Sequence, residues 1–132
     1  MSKHILMVMT SHELLGDTGK KTGMWLEEFA SPYYAFKDAG YTITLASPMG
    51  GQVPIDPNSL ADDAMTDDAI RYTKDEVARS AMSSTIVSED VRADEFDAVF
   101  YPGGHGPLWD LSDNTHSTML IEDMVKAQKP VG

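Results

Sequence analysis

The stretch Ile5-Leu6-Met7-Val8-Met9 is the longest unbroken apolar run in the chain, and it starts within a few residues of the amino terminus. A short run without alternation suits a strand covered on both faces, as in a parallel sheet, rather than a half-solvated antiparallel strand. A strand of that kind needs helices on either side of its sheet, so the run points to an α/β domain. Met24 to Ala39 reads as the first helix, with Trp25, Phe29, Tyr33 and Phe36 spaced along one face. Ser31-Pro32 predicts a break or kink inside it, with Ser31 capping the second piece. Gly40 is its stop signal. Tyr41 to Ala46, partly alternating and β-branched, reads as a second strand. A helix and a strand joined across one glycine follow the βαβ rhythm of a parallel sheet.

Ser11 to Thr22 is polar and reads as a loop. Ser47 to Ser59 is a longer one, and Pro48-Met49-Gly50-Gly51 within it signals a tight turn. Thr73 to Ser83 reads as a helix with a Thr73/Glu76 capping box. Asp97 to Tyr101 reads as a third buried strand, followed at once by the turn Pro102-Gly103-Gly104-His105-Gly106. Asp113 to Lys129 is the last helix, with Leu120, Ile121, Met124 and Val125 on one face and Asp113 or Asn114 as its cap. Pro130-Val131-Gly132 reads as the beginning of another strand. A doubly wound sheet keeps its ligand site beyond the carboxyl ends of its strands. The expectation is therefore a single, incomplete domain over residues 1–132, cut from or split off a longer polypeptide.

The 132 residues suit one domain. Hydrophobic residues at 42% and charged residues at 23% match a soluble globular protein. The apolar run falls far short of the roughly 20 residues that span a bilayer, and no secretory signal is apparent. Ten basic against 21 acidic residues give a net charge of −11, which disfavours nucleic acid and anionic membranes as partners. A cytoplasmic protein is expected. There is no cysteine, hence no disulfide, no thiolate metal site and no thiol nucleophile within these residues.

Glu27 and Glu28 adjoin in sequence, but a helix separates them by about 100°. With Trp25 as origin, Glu28 falls near −60° (approximately), between Met24 and the aromatic face, and Glu27 roughly opposite that face. Glu28 is thus expected against the apolar interface, where a carboxylate must be paired, hydrogen-bonded or protonated and suits proton transfer. The plainer alternative is a helix-edge glutamate whose tip reaches water. Gly103-Gly104, directly after a strand, would let the backbone approach a ligand and turn N–H groups toward an oxyanion; a simple turn needs glycines equally. His105 beside them suits a polarising or ligand-contacting role, or an ordinary surface position. The four histidines are scattered, and no metal site is expected. Thr18-Gly19-Lys20-Lys21-Thr22 lies too far past the first strand for a flavin phosphate loop, and no other phosphate-binding motif follows that strand. The pairs Asp62-Asp63 and Asp67-Asp68 read as solvated faces and the methionines as core filler.

Thr22-Gly23-Met24-Trp25-Leu26-Glu27-Glu28, Pro32-Tyr33, Gly40-Tyr41, Ser47-Pro48-Met49-Gly50-Gly51 and Tyr101-Pro102-Gly103-Gly104-His105-Gly106 together resemble the ThiJ/PfpI superfamily, nearest its glyoxalase III and stress-chaperone branch. The resemblance covers essentially the whole chain. It implies a flavodoxin-like doubly wound, mostly parallel sheet flanked by helices, related to class I glutamine amidotransferases and here lacking its C-terminal part. It places the family's motif glutamate on Glu28 and the oxyanion turn on Gly103 and Gly104, with His105 alongside. The family's nucleophilic cysteine would come a few residues after Gly132, and the partner histidine is absent too.

The implied chemistry belongs to a longer parent. It is cofactor-free conversion of a 2-oxoaldehyde such as methylglyoxal to a 2-hydroxy acid, by a lyase or hydrolase of the glyoxalase III kind. Other amidases, peptidases and hydratases of the superfamily, or a stress-response holding chaperone without turnover, remain alternatives. The expected partners are a small aldehyde, a second copy in a homodimer, and the remainder of the same protein completing the sheet.

Overall fold

The computed structural model describes residues 3–14 and 17–132. Four parallel strands form one sheet: β1 (His4–Val8), β2 (Thr42–Ser47), β3 (Ile86–Val87) and β4 (Ala98–Phe100), in the order β3-β2-β1-β4. The apolar run behaves as expected of a strand with two covered faces. Ile5, Met7 and Met9 pack into one core with Phe29, Ala30, Tyr33, Tyr34, Tyr72 and Met82. Leu6 and Val8 pack into a second core with Ala46, Val99, Leu111, Leu120 and Met124. No helix among the described residues is long and apolar enough to cross a membrane.

Helix α1 (Leu26–Asp38) runs unbroken through Pro32, so the expected interruption and the Ser31 cap are corrected. The proline removes one N–H from the ladder. The helix continues because Phe29 and Ala30 before it, and Tyr33 and Tyr34 after it, are all buried in the same core. Tertiary burial outweighs the local penalty. Gly40 follows with φ 86°, the left-handed conformation a helix stop favours.

The segment after β2 was legible only in part. Helix α2 (Asp67–Thr73) has Asp67-Asp68 in its first turn and is capped by Thr66, whose hydroxyl accepts from Ala69 N–H. Helix α3 (Glu76–Ser83) is capped by Asp75, not by a Thr73/Glu76 box. Asp75 accepts from Val77 and Ala78 N–H and from the Tyr34 hydroxyl at 2.9 Å. Helix α4 is the single turn Pro107–Asp110, and α5 spans Thr115–Lys126. Asn114 is the cap of α5, accepting from Ser117 N–H at 2.8 Å. Leu120 and Met124 of α5 are buried, whereas Val125 is exposed.

The start of a further strand at residues 130–132 is visible as pairing with β4. Val99 N–H donates to Pro130 O, Gly132 N–H to Val99 O and Tyr101 N–H to Gly132 O. Val131 is thereby a parallel bridge partner of Val99.

The Asp75 carboxyl is held below the usual carboxylate range, first by the Ala78 N–H and then by Tyr34, Val77 and Arg71. A carboxyl lowered on folding contributes stability that is fully present above its unfolded value of about 3.9 and lost as pH falls through the lower folded value. Asp75→Asn keeps the capping oxygen and removes the charge. Its urea midpoint is expected to trail wild type at pH 7 and to converge with it as pH drops below about 4.

Candidate functional site

The sheet order reverses at β1. The chain passes from β1 through α1 to β2 on one side, and β4 returns on the other. The crevice beyond the carboxyl ends of β1 and β4 is therefore the topological switch point, where open α/β sheets place ligands. Two sequence-distant segments meet there.

Residues 23–25 form a short extended arm before α1. Met24 pairs with Ile55 on one side and antiparallel with Gly104 on the other. Met24 N–H donates to Pro54 O, Asp56 N–H donates to Met24 O, and Trp25 N–H donates to Gly103 O, each at 2.9 Å. Trp25 is extended (φ −79°, ψ 118°) and caps the helix from outside it. The arm thus fixes the start of α1 against the bend that follows β4.

That geometry corrects the expected burial of Glu28. Glu28 is exposed and Glu27 is half-buried. Met24 and Trp25 both precede the helix and so do not share its wheel. The buried arc consists of Leu26, Phe29, Ala30, Tyr33 and Tyr34. It is centred near +110° (roughly), so Glu28 lies about 170° from its middle. The carboxylate lies outside the core.

Its location relative to the bend is nonetheless close. A Cβ on Gly103 would lie 2.6 Å from Glu28 Oε1 and 3.2 Å from its Cδ. The missing side chain of Gly103 is the space the carboxylate occupies. Gly104 has φ 128°, and a Cβ there would meet Gly23 O at 2.3 Å and Trp25 N at 2.9 Å. In an antiparallel pair flanked by the Trp25–Gly103 hydrogen bond, Gly104 is the member whose own N–H is directed away from the arm. A backbone N–H so directed is chemically able to donate to an oxygen placed beside it. Glu28, Gly103, Gly104 and His105 are thus neighbours in space.

His105 is 61% exposed, and its Nδ1 lies 3.9 Å from Oδ2 of Asp56, which is 2% exposed. Asp56 falls within the Ser47 to Ser59 loop of the sequence and carries no expected role there. The available signal was Asp56-Pro57, an acidic cap before a proline at the first helical position. Asp56 indeed caps the turn Pro57–Leu60, accepting from Asn58 N–H at 2.9 Å. Its other oxygen accepts from the buried Thr22 hydroxyl at 3.0 Å.

A second clamp joins the end of β1 to α4. Asp110 accepts from the Thr10 hydroxyl at 2.7 Å and from Ser11 N–H at 2.6 Å. The His12 ring stacks on Trp109 with centroids 4.8 Å apart. Lys21 pairs antiparallel with Leu14, so the Thr18–Thr22 stretch closes a loop of its own rather than following β1 directly. Among the described residues no cluster of three or more histidines and carboxylates is arranged to hold a metal ion.

The sequence matches the DJ-1/PfpI family over residues 21–132. It is 28% identical over 111 residues to the glutathione-independent glyoxalase HSP31 of Saccharomyces cerevisiae, covering 82% of this chain and 46% of that protein. It is 30% identical over 109 residues to glyoxalase 3 of Candida albicans, covering 80% of this chain and 46% of that protein. The fold is similar to that of the rapid encystment protein REP24 of Francisella tularensis, with a TM-score of 0.91 and 35% identity over 98% of this chain and 57% of that one. The chain spans about half the length of the curated relatives it matches.

Proposed function

The chain belongs to the DJ-1/PfpI family, and from that premise we propose that it is the amino-terminal half of a cysteine-dependent, cofactor-free glyoxalase of the glutathione-independent kind. The substrate class is a 2-oxoaldehyde such as methylglyoxal and the product a 2-hydroxy acid. One observation carries this reading: the Glu28 carboxylate sits against Gly103, in the double-glycine bend at the switch point of the sheet. The similarity to two proteins called glyoxalases supports the choice of substrate class.

The chain has no cysteine, so the thiol comes from polypeptide outside these residues. That polypeptide extends the pairing which residues 130–132 begin on β4. The thiolate adds to the aldehyde carbon, and the former carbonyl oxygen takes a proton to give a hemithioacetal. Glu28 removes the proton from that carbon as the hemithioacetal's hydroxyl proton passes to the ketone oxygen, giving an enediol; Glu28 then returns a proton to the former ketone carbon, leaving a thioester and a new hydroxyl. Water then cleaves the thioester, freeing the thiol and the 2-hydroxy acid. The aldehyde carbon is oxidised and its neighbour reduced, so no external redox partner is consumed. Gly103 leaves room for the carboxylate, and the Gly104 N–H and His105 hold the substrate oxygens. The protein works in the cytoplasm as a homodimer.

The test is turnover of methylglyoxal to lactate by the complete polypeptide, without glutathione and with EDTA present. Appearance of lactate supports the reading. Suppression of client aggregation without turnover, unchanged by Glu28→Gln, would instead make it a holding chaperone. Hydrolysis of an amide or peptide without lactate formation would move it to another branch of the family.

A further inference from the structure

The buried Asp56 carboxylate is one of the least exposed charged groups in the described structure, and a cap alone does not account for it. Capping a four-residue turn needs a single oxygen, and Oδ1 supplies it by accepting the Asn58 N–H. Removing a carboxylate from water is costly unless its remaining lone pairs are engaged. Oδ2 is engaged by the Thr22 hydroxyl at 3.0 Å and faces His105 Nδ1 at 3.9 Å. Asp56 N–H is in turn tied to Met24 O. Asp56 therefore holds Thr22 and the 57–60 turn through its carboxylate and Met24 through its backbone, and the same carboxylate faces the residue that ends the double-glycine bend.

We propose that Asp56 is a positioning residue that acts through His105: it turns the imidazole so that Nδ1 carries the hydrogen toward the carboxylate and Nε2 is left as an acceptor for a substrate hydroxyl. The chemistry behind this is the two-sidedness of neutral imidazole. One ring nitrogen donates and the other accepts, and the partner of the first fixes the role of the second. A carboxylate only accepts, so across the 3.9 Å separation its charge favours the tautomer with the hydrogen on the facing nitrogen, and a small ring shift closes the pair to hydrogen-bonding distance. An acceptor at Nε2 suits the hydroxyl of a hydrated aldehyde or of a hemithioacetal, and it does not suit a bare carbonyl. The role for the substrate rests on the glyoxalase reading; the orientation of the ring does not.

Long-range proton–nitrogen NMR spectra of the complete, histidine-labelled protein, at about pH 8 where a free imidazole is neutral, read the tautomer directly. His105→Gln identifies the resonance. Wild-type protein is expected to show His105 protonated at Nδ1. Asp56→Asn keeps the oxygen for Asn58 and presents an amide N–H to His105, so the hydrogen is expected to move to Nε2. kcat/KM for methylglyoxal is expected to fall about ten-fold, mainly through KM, with the melting temperature as the control for folding. A wild-type His105 protonated at Nε2 overturns the proposal without any variant. So does a switched tautomer with unchanged kcat/KM. If the tautomer is as expected but the wild-type protein forms no lactate, the glyoxalase reading fails and the coupling of Asp56 to His105 stands.

Discussion

Glu28→Gln in the complete polypeptide is expected to lower kcat for methylglyoxal by about a hundred- to ten-thousand-fold, the range over which a positioned acid–base group contributes. The substitution removes the basic oxygen and keeps the side chain's length and shape. Because Glu28 is exposed at the first turn of α1, the stability cost is small. It is limited to the lost interaction of a carboxylate with a helix start, about 0.3–1 kcal/mol. A large loss of rate with a nearly unchanged melting temperature therefore separates a chemical role from a structural one. Steady-state lactate formation and a thermal melt on the same sample check it. A variant that retains the wild-type rate removes Glu28 from the reaction.

The adjacent glycines are expected to fail in different ways when each is replaced by alanine. At Gly104 the φ of 128° is one that side-chain-bearing residues adopt only at a cost of about 1–3 kcal/mol. The new Cβ would also meet backbone, Gly23 O at 2.3 Å and Trp25 N at 2.9 Å, and neither can rotate aside. The total loss is expected to exceed about 3 kcal/mol, a large part of a typical domain's 5–15 kcal/mol. Gly104→Ala should express poorly or melt many degrees lower. At Gly103 the obstructing atoms belong to the Glu28 carboxylate, the exposed end of a flexible side chain. Gly103→Ala is expected to fold, to lose about 1 kcal/mol at most through local adjustment, and to expel the carboxylate from its seat. Its activity should fall toward that of Glu28→Gln while its fold survives. Chemical denaturation of both variants, with lactate formation measured on Gly103→Ala, checks the contrast.

Much of the architecture could be read from residue pattern because the informative signals were local. An unbroken apolar run meant two covered faces, and the structure divides Ile5, Met7 and Met9 from Leu6 and Val8 in that way. Gly40 marked the end of α1, and Asn114, one of the two expected caps, starts α5 at Thr115 rather than Asp113. Three things were not legible. Of the break or kink that Pro32 predicted, burial of its neighbours overrides the break. The two-residue strand β3 carries too little periodicity to detect. The face of α1 that carries Glu28 was misjudged because the arm at Met24 and Trp25 continues the apolar pattern without being helical. Which residues meet at the crevice was carried by the family resemblance, since Glu28 and Gly103 are brought together only by the pairing of the arm with the bend. Asp56 escaped notice because its partners Thr22 and His105 lie far from it in sequence.

A crystal structure of the complete protein, trapped after brief exposure to methylglyoxal, tests the central claim most directly. The account predicts a sulfur-bound adduct with an oxygen on the Gly104 N–H and the reacting carbons within hydrogen-bonding reach of the Glu28 carboxylate. An adduct formed elsewhere, or one with Glu28 turned away from Gly103 into bulk water, would contradict it.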